Sequence, residues 1–235
     1  MAAATEGFLV EEQFISDDDD ELDDGPRGLR GHRTLHPEKM RSRREQIIVA
    51  FAEILATTDY EVATLDDVAA RLSCSKAVIY YQFRSKEDLF VAMSSTAIQI
   101  AYENLCEIVA THESVREQLW EAVTDLVRIG FEPIHAASLR CGAPSSLSRQ
   151  SKRVLRNLSR QYRLELTAVV KRGVEEGCLA ARDIHLVTNT IINASQSIFR
   201  WVRPGGPIPP ETFIREVPGM VLGGVFAPGQ DCSAP

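Results

Sequence analysis

The chain has 235 residues, of which 44% are hydrophobic and 25% are charged, and its formal net charge is −7. This length allows one large or two modest domains with well-filled cores, and no apolar run approaches the ~18–20 residues that span a bilayer. The five cysteines show neither metal-site spacing nor a pairing pattern. We therefore expect reduced thiols in a soluble cytoplasmic protein that does not contact a membrane.

Charge is unevenly distributed near the N-terminus. Residues 1–26 hold ten acidic side chains and no Lys or Arg, so the rest of the chain carries a formal charge of +3, the difference between −7 and −10. Residues 27–44 hold seven basic side chains against Glu38 alone. Charged blocks with few apolar residues rarely pack, and we predict that residues 1–37 form a disordered tail, acidic and then basic.

A first helix is predicted from Pro37 to Thr58. Proline suits the first turn of a helix because the nitrogen at that position needs no hydrogen-bond partner. Apolar residues at helical spacing then form one stripe, made by Ile47, Ala50, Phe51, Ile54 and Leu55.

Two helix starts follow this first helix. Thr64 and Asp67 have the spacing of a helix-capping pair, and an apolar set at helical spacing follows them. Ser85 and Asp88 repeat the same spacing further along, at the start of a longer helix. A short helix after Thr64 and a long one after Ser85 are therefore predicted.

A third, short helix is predicted between these two. Ser73-Cys74-Ser75 interrupts the helical pattern, and Ser75 is a suitable cap for the residues that follow. This helix should bury Ile79 and Phe83 while it exposes Lys76, Ala77, Tyr80, Tyr81 and Gln82. Two short helices joined by a three-residue turn form a helix-turn-helix, whose second helix fits the major groove. Double-stranded DNA is therefore the predicted partner.

The sequence AVIYYQFRSKEDL at residues 77–89 resembles the signature of the TetR family of one-component repressors. That pattern ends in tyrosine, an aromatic residue, phenylalanine and then Lys-Glu-x-Leu. The resemblance implies an all-α protein with an N-terminal helix-turn-helix head of three helices and a C-terminal helical bundle for ligand binding and dimerisation. Asp59 and Ser73 stand where the family commonly has glycine, so a left-handed backbone is expected at both positions.

Several side chains of the head are candidates for DNA contact. Lys76 and Gln82 carry groups that bond base edges or phosphates, and the Ala77 methyl group suits a thymine. One of the two adjacent tyrosines could instead pack within the head. The resemblance implies DNA contact at Thr64, Ser75, Lys76, Ala77, Tyr80, Tyr81, Gln82 and Lys86. Further phosphate contacts, or otherwise a solvated surface, are predicted at Arg41, Arg43 and Arg44.

The rest of the chain shows helical spacing without strand alternation, so the predicted fold class is all-α. Helices are expected at 86–110, from Ser114 to Phe131, at 146–176, from Asp183 to Ile198 and at 211–222. Pro133 and the stretch 141–144 are expected to interrupt them, as is the turn-rich stretch 203–210. We predict a DNA-binding domain at 38–85, a regulatory and dimerisation domain at 86–225, and a frayed tail at 226–235.

Two features of the predicted bundle suit an effector. An apolar cavity could be lined by Trp120, Val123, Val127, Phe131, Tyr162 and Leu166, although the same residues also describe an ordinary core. Five arginines form one narrow helical stripe, at positions 149, 153, 156, 160 and 163. That stripe is either the solvent side of its helix or a docking site for a polyanion such as the phosphates of coenzyme A.

A weaker resemblance concerns the C-terminal part. The segments GVEEGCLAARDIHLV, FRWVRPGGPIPPETF and VLGGV resemble actinobacterial repressors of fatty-acid and sterol catabolism. This implies an acyl-CoA effector, with drug-like or other hydrophobic effectors as alternatives. Family members form a four-helix dimer interface from the last two long helices, which implies homodimer contacts at Val187, Ile191, Ala194 and Ile198.

The competing class is a helical enzyme or interaction module that does not bind specific DNA. The sequence has no glycine-rich phosphate loop, no nucleophile elbow and no paired histidine spacing for a metal. We therefore predict a ligand-responsive transcriptional regulator without a cofactor or catalytic site. It is expected to be a repressor that its effector releases from a palindromic operator.

Overall fold

The computed structural model describes residues 37–180, 183–202 and 206–226, with side chains described from residue 43. The regular secondary structure of these ranges is helical apart from a single bridge between Leu179 and Phe226, which confirms the predicted all-α class. Of the tails predicted at 1–37 and 226–235, residues 1–36 and 227–235 lie outside the described residues. The two described positions differ from the prediction, since Pro37 begins the first helix and Phe226 is buried and forms that bridge. Of the described helices, none combines the length and apolarity that crossing a bilayer requires.

The helices follow one another along the chain with bounds close to the predicted ones. They are α1 (Pro37–Leu55), α2 (Leu65–Arg71), α3 (Lys76–Gln82), α4 (Lys86–Thr111), α5 (Val115–Ile129), α6 (Pro133–Cys141), α7 (Arg149–Glu175), α8 (Ile184–Ser197) and α9 (Pro210–Leu222). A short 3₁₀ turn, Ile198–Arg200, follows α8. The first helix ends three residues before the predicted Thr58, because the chain leaves it through turn hydrogen bonds from Ala56, Thr57 and Thr58.

Side-chain caps begin α2 and α4 as predicted. The Asp67 amide donates to the Thr64 hydroxyl at 3.2 Å, and the Thr64 amide donates to the Asp67 carboxylate at 2.8 Å. The Ser85 hydroxyl accepts from the Asp88 amide at 3.0 Å. Ser75 precedes α3 but makes no side-chain capping bond, so the hydroxyl expected to cap this helix does not do so.

A left-handed backbone was predicted at Ser73 and Asp59, and it is found only at Ser73. Ser73, in the turn between α2 and α3, has a φ of 48°, which costs an L residue with a Cβ about 1 kcal/mol. Asp59 is not among the described residues with positive φ. It accepts instead from the amides of Val62 and Ala63, so an ordinary turn replaces the expected left-handed residue there.

Breaks were predicted at Pro133 and at 141–144, and helix α6, which lies between them, was not predicted. The chain does leave α5 before Pro133, but Pro133 then lies at the first helical position of α6, where proline is tolerated, and the second break comes at Gly142 with a φ of 58°. The buried residues of α6 include Ala137, which packs in the same apolar cluster as the head. This helix therefore connects the head to the bundle.

Three apolar clusters hold the described part of the chain together. The first joins the head to the start of the bundle, because Phe51, Ile79 and Phe90 share it with Leu147 and Leu155. The second fills the bundle between α4, α5, α7, α8 and α9, around the fully buried Leu119, Leu166, Ile191 and Leu222. The third surrounds Val127 and Phe213 near the 3₁₀ turn.

Candidate functional site

Helix α3 presents a polar and aromatic outer face. Ile79 and Phe83 are fully buried, while Tyr80 and Tyr81 are 53% and 71% exposed. Neither tyrosine therefore packs inside the head, which was the alternative for one of them. Lys76 and Ala77 are also exposed, and the Gln82 side chain is half-buried. The exposed set has the donors, the methyl group and the phenols that contact with a DNA groove needs.

The ammonium group of Lys76 already has a partner within the head. Its Nζ lies 2.5 Å from Asp66 Oδ2, at the start of α2, and this hydrogen bond raises the pKa of Lys76. Both side chains are more than half exposed, so the ion pair is screened and easily exchanged. The remaining protons of the ammonium group stay available for a phosphate or a base.

Lys86 is more firmly held than a free phosphate contact would be. Its Nζ donates to the carbonyl oxygens of Tyr60 and Glu61, at 2.8 and 3.2 Å, and lies 4.6 Å from the centroid of the Tyr60 ring. The Thr64 hydroxyl is likewise engaged with Asp67. These two predicted DNA contacts therefore also stabilise the head itself.

The arginines near the start of α1 differ in their surroundings. Arg43 is bonded to Gln46 on the same helix at 2.9 Å. Arg44 donates to the Gln82 carbonyl oxygen at 2.9 Å, and its guanidinium lies 4.3 Å from the Phe83 ring centroid. It thus joins α1 to the C-terminal end of α3, where a cation is favoured. The side chain of Arg41 is not among those described.

A shallow concavity beside α3 contains a residue that the sequence analysis did not select. Arg84 is exposed and lines this concavity together with Tyr80 and Lys86. Asp66 also lines the concavity, but its carboxylate is paired with Lys76, so two cations and a phenol remain for a phosphate group there. The sequence does mark Arg84, because it is a basic residue that stands between the end of α3 and Ser85, the cap of α4.

A cavity of about 210 Å³ lies inside the helical bundle. Its apolar wall is formed from α4, α5 and α8, by Ala97, Ile98, Ala101, Leu126, Ile129 and Ile192. Its polar wall is formed by His135, Ser138, Ser159, Tyr162, Arg163, Asn189, Asn193 and Gln196. A ligand in this cavity would therefore meet an apolar side and a side with hydrogen-bonding groups.

A larger groove of about 670 Å³ adjoins this cavity. The two share Ile98, Ser138, Leu139, Ser159, Arg163, Asn193 and Gln196, so one ligand could occupy both. Five cationic side chains line the groove, and they are Lys152, Arg156, Arg160, Arg163 and Arg200. No acidic residue is among the described residues that line it, so the groove attracts a polyanion.

Comparison with known proteins agrees with this architecture. Residues 47–93 match the family described as bacterial regulatory proteins, tetR family, and residues 112–225 match the tetracyclin repressor-like C-terminal domain. Together these ranges cover more than half of the chain. The chain belongs to the TetR family.

Individual relatives have low sequence identity, but the matches cover most of this chain and nearly all of each relative. The chain is 24% identical over 197 residues to the HTH-type transcriptional repressor KstR2 of Mycobacterium tuberculosis, covering 81% of this chain and 96% of that protein. The structure of that ketosteroid transcriptional regulator has a TM-score of 0.69 at 21% identity, over 79% of this chain and 95% of that one. FadR from Bacillus subtilis, in complex with stearoyl-CoA, has a TM-score of 0.65 at 17% identity, over 77% and 98%. At such identities the structures show a shared fold.

Most of the predicted effector contacts of this TetR-family bundle lie in its core. Tyr162 lines the cavity, as predicted. The remaining five do not line it and pack in apolar clusters, and they are Trp120, Val123, Val127, Phe131 and Leu166. Within the arginine stripe, Arg156, Arg160 and Arg163 line the groove. Three lining residues were not predicted: Lys152 and Arg200 line the groove, and His135 lines the cavity.

The bundle also contains a buried carboxylate. Asp125 accepts two hydrogen bonds from the Asn104 amide at 3.1 and 3.2 Å. Burial raises the pKa of Asp125, although the Asn104 bonds and Arg128 oppose the shift. Burial also raises the pKa of Tyr162 and lowers the pKa of His135, so these two side chains are neutral near pH 7.

Two of the four residues predicted for a TetR-type dimer interface are buried within their own chain. Ile191 is fully buried in the second cluster and Ile198 is 8% exposed in the third, so neither lies on an outer surface. Val187 and Ala194 are half-buried. The apolar side chains that α8 and α9 do expose are Leu186, 67% exposed, and Met220, 75% exposed.

Proposed function

We propose that this chain is a ligand-responsive transcriptional repressor that binds a palindromic operator as a homodimer and is released by a small effector, a coenzyme A thioester. The observation that carries this proposal is the connection of an apolar cavity to a groove lined by five cations, in a chain that also has an exposed α3. The relatives' names support it, since KstR2 is a transcriptional repressor and FadR was solved with stearoyl-CoA.

DNA binding is assigned to the outer face of α3 and its surroundings. Lys76, Ala77, Tyr80 and Tyr81 would enter the major groove, with Gln82 at the end of the helix. The Arg84 concavity, Ser75 and the helix starts at Thr64 and Lys86 would meet the phosphates. Arg43 is a further phosphate contact. In a two-fold dimer, two such helices would lie about one DNA turn apart.

The effector class follows from size and charge. A volume of about 210 Å³ corresponds to roughly seven water-sized volumes, which suits a short or medium acyl group better than a long chain. The phosphates of coenzyme A would lie along the cations of the groove, because guanidinium groups bind phosphate in a two-pronged manner. A drug-like hydrophobic effector would form no ion pairs with these cations.

The N-terminal end of α7 offers a route from the groove to the head. Lys152 and Arg156 line the groove within the first turns of α7. Glu87, in the first turn of α4, accepts from the Ser148 amide at 3.0 Å and from the Ser151 hydroxyl. A ligand whose phosphates bind the cations of α7 would therefore displace a helix end that is hydrogen-bonded directly to α4. The shift of α4 would then change the separation of the two heads and lower DNA affinity.

Dimerisation is assigned to the outer faces of α8 and α9. Leu186 and Met220 are large apolar side chains that the single chain leaves in water. Val187 and Ala194 are half-buried on α8, and we assign them to the interface as further contacts. Covering such a surface with a second copy would remove apolar area from water.

DNA binding is tested by fluorescence anisotropy of the full chain with DNA from its own upstream region, at several salt concentrations. Replacing Tyr80 and Tyr81 by Ala should weaken specific binding about tenfold or more, because each base contact contributes roughly 1–3 kcal/mol. The control is Val49→Ala, which trims an exposed apolar side chain of α1. Absence of specific binding at any salt would refute the proposal and favour a helical enzyme or interaction module.

The effector class is tested by calorimetric titration with hexanoyl-CoA and with coenzyme A alone. A variant carrying Arg156→Gln and Arg160→Gln should bind hexanoyl-CoA about tenfold or more weakly, since two charged hydrogen-bonding groups are lost. The matched control carries Arg149→Gln and Arg153→Gln, which are exposed on the same helix and do not line the groove. Equal weakening of both double variants, or of neither, would refute the assigned phosphate site.

A further inference from the structure

The polar wall of the cavity contains a buried phenol without a protein partner. Tyr162 is 7% exposed and lines the cavity, and no other described residue shares a hydrogen bond with its hydroxyl. The nearby Asp125 is occupied by the Asn104 amide instead. The Tyr162 hydroxyl is not among the fully enclosed polar atoms that lack a partner, so it is accessible to water, and a ligand that fills the cavity has to replace that water.

A second polar group on the same wall has one free position. His135 is 7% exposed, and one of its ring nitrogens, Nε2, lies 2.9 Å from the Ala97 carbonyl oxygen. Because a carbonyl oxygen only accepts, this nitrogen carries the hydrogen and donates. In the neutral ring the other nitrogen, Nδ1, is then an acceptor, and no described residue donates to it. Both residues line the cavity, so a phenol that donates and accepts and an imidazole nitrogen that accepts are the groups they can offer to a ligand there.

These two groups define what the enclosed part of a ligand should carry. A purely alkyl group placed against them would remove water from both without replacing its hydrogen bonds. A hydroxyl or carbonyl oxygen on the acyl group would restore at least the bond to the phenol, and a hydroxyl could also donate to the imidazole. Sites that hydrogen-bond a ligand oxygen reject the analogue that lacks it.

We infer that Tyr162 and His135 select an effector whose acyl group bears a hydroxyl or carbonyl oxygen, in preference to a plain alkyl group. This inference rests on the proposed coenzyme A thioester class and narrows it. Tyr162 acts as the principal specificity residue, with His135 as the acceptor beside it. The acyl group enters the cavity and its oxygen meets the polar wall, while the phosphates remain in the groove.

The test uses the full chain and pairs of short acyl-CoA thioesters that differ by one oxygen, with hexanoyl-CoA as the alkyl member. The oxygen is placed at successive carbons of the acyl chain, and affinities are measured by calorimetry. The wild type should bind the best oxygenated thioester about threefold to tenfold more tightly than its alkyl partner. Tyr162→Phe should remove this preference, and its affinity for the alkyl thioester should not fall, because no phenol then loses its water.

A matched control is Tyr102→Phe, which removes the hydroxyl of a tyrosine on α4 that does not line the cavity. Its preference should equal that of the wild type. His135→Gln provides a second variant should Tyr162→Phe not fold, and it should reduce the preference for hydroxylated over carbonyl-bearing thioesters. A wild type that binds alkyl and oxygenated thioesters equally, or a Tyr162→Phe variant that keeps the preference, overturns this inference alone. Failure of every thioester to bind overturns the proposed effector class as well.

Discussion

Glu87 connects the first turn of α4 to the first turn of α7 and provides a test with a defined sign. Its carboxylate accepts from the Ser148 amide at 3.0 Å and from the Ser151 hydroxyl. The hydrogen bonds from Ser148 and then from Ser151 lower the pKa of Glu87. Because the ionised carboxylate accepts these bonds more strongly than the neutral acid, the folded state is stabilised by ionisation of this group.

The size of the effect follows from these two bonds. Hydrogen bonds to charged groups contribute roughly 1.5–3 kcal/mol when buried, against about 1 kcal/mol for neutral ones. One of the two bonds is exposed and the other is part-buried, so screening reduces the gain. We expect Glu87→Gln to lower the free energy of unfolding by about 1 kcal/mol near pH 7.

The sign of the pH dependence distinguishes this cause from a change in packing. A carboxyl whose folded pKa is lowered contributes stability above its unfolded pKa of about 4.3, and this contribution is lost as pH falls through the folded pKa. The difference in free energy of unfolding between wild type and Glu87→Gln should therefore become smaller at acidic pH. Urea unfolding followed by circular dichroism, from about pH 7 to about pH 3.5, measures it.

A control variant is Glu107→Gln, which removes an exposed carboxylate of the same helix. It should change the free energy of unfolding by less than about 0.5 kcal/mol at every pH. A difference between wild type and Glu87→Gln that stays constant across the pH range would refute the electrostatic account. Equal behaviour of the two variants would show that the negative charge of Glu87 does not strengthen the bonds from Ser148 and Ser151, because glutamine keeps an oxygen that accepts them.

Three further predictions concern stability. Ser73→Gly should raise the free energy of unfolding by about 0.5–1 kcal/mol, because glycine tolerates the positive φ, and a higher urea midpoint at unchanged slope would show it. Leu166→Ala should lower it by about 3 kcal/mol, because Leu166 is fully buried, whereas a change below about 1 kcal/mol would contradict its core position. Asp125→Asn should gain free energy of unfolding relative to wild type as pH rises from about 4 to 7. The reason is that burial raises the pKa of Asp125, so ionisation of this carboxyl destabilises the folded wild type. A free energy of unfolding that falls relative to wild type over this range would contradict that sign.

The helix-turn-helix head could be read from the sequence because its signals are local. A capping pair such as Thr64 and Asp67 lies within four residues, and the burial of Ile79 and Phe83 follows from helical spacing alone. Helix α6 could not be predicted in this way. Pro133 either breaks a helix or begins one, and the choice depended on the packing of Ala137 against the head, which no local pattern contains.

The cavity shows the same limit in a different form. Helical spacing identifies the inward face of α5, but both a core and a cavity wall are inward and apolar. Trp120 and Val123 pack against other helices, whereas Leu126, on the same helix, borders the cavity. That distinction depends on how well the facing helices fill the space between them, which is a property of packing and not of one helix.

The arginine stripe shows how tertiary structure divides a uniform sequence pattern. Spacing placed five arginines on one face of α7, and all five are exposed. Only those at positions 156, 160 and 163 lie where Arg200, from the 3₁₀ turn, and Lys152 approach the same groove. Arg200 adds a cation from a second element to the four on α7, and cations brought together in this way repel one another unless an anion is bound, which favours a polyanion site over a solvated face. The same reasoning explains why Arg149 and Arg153, outside the groove, are suitable controls for that site.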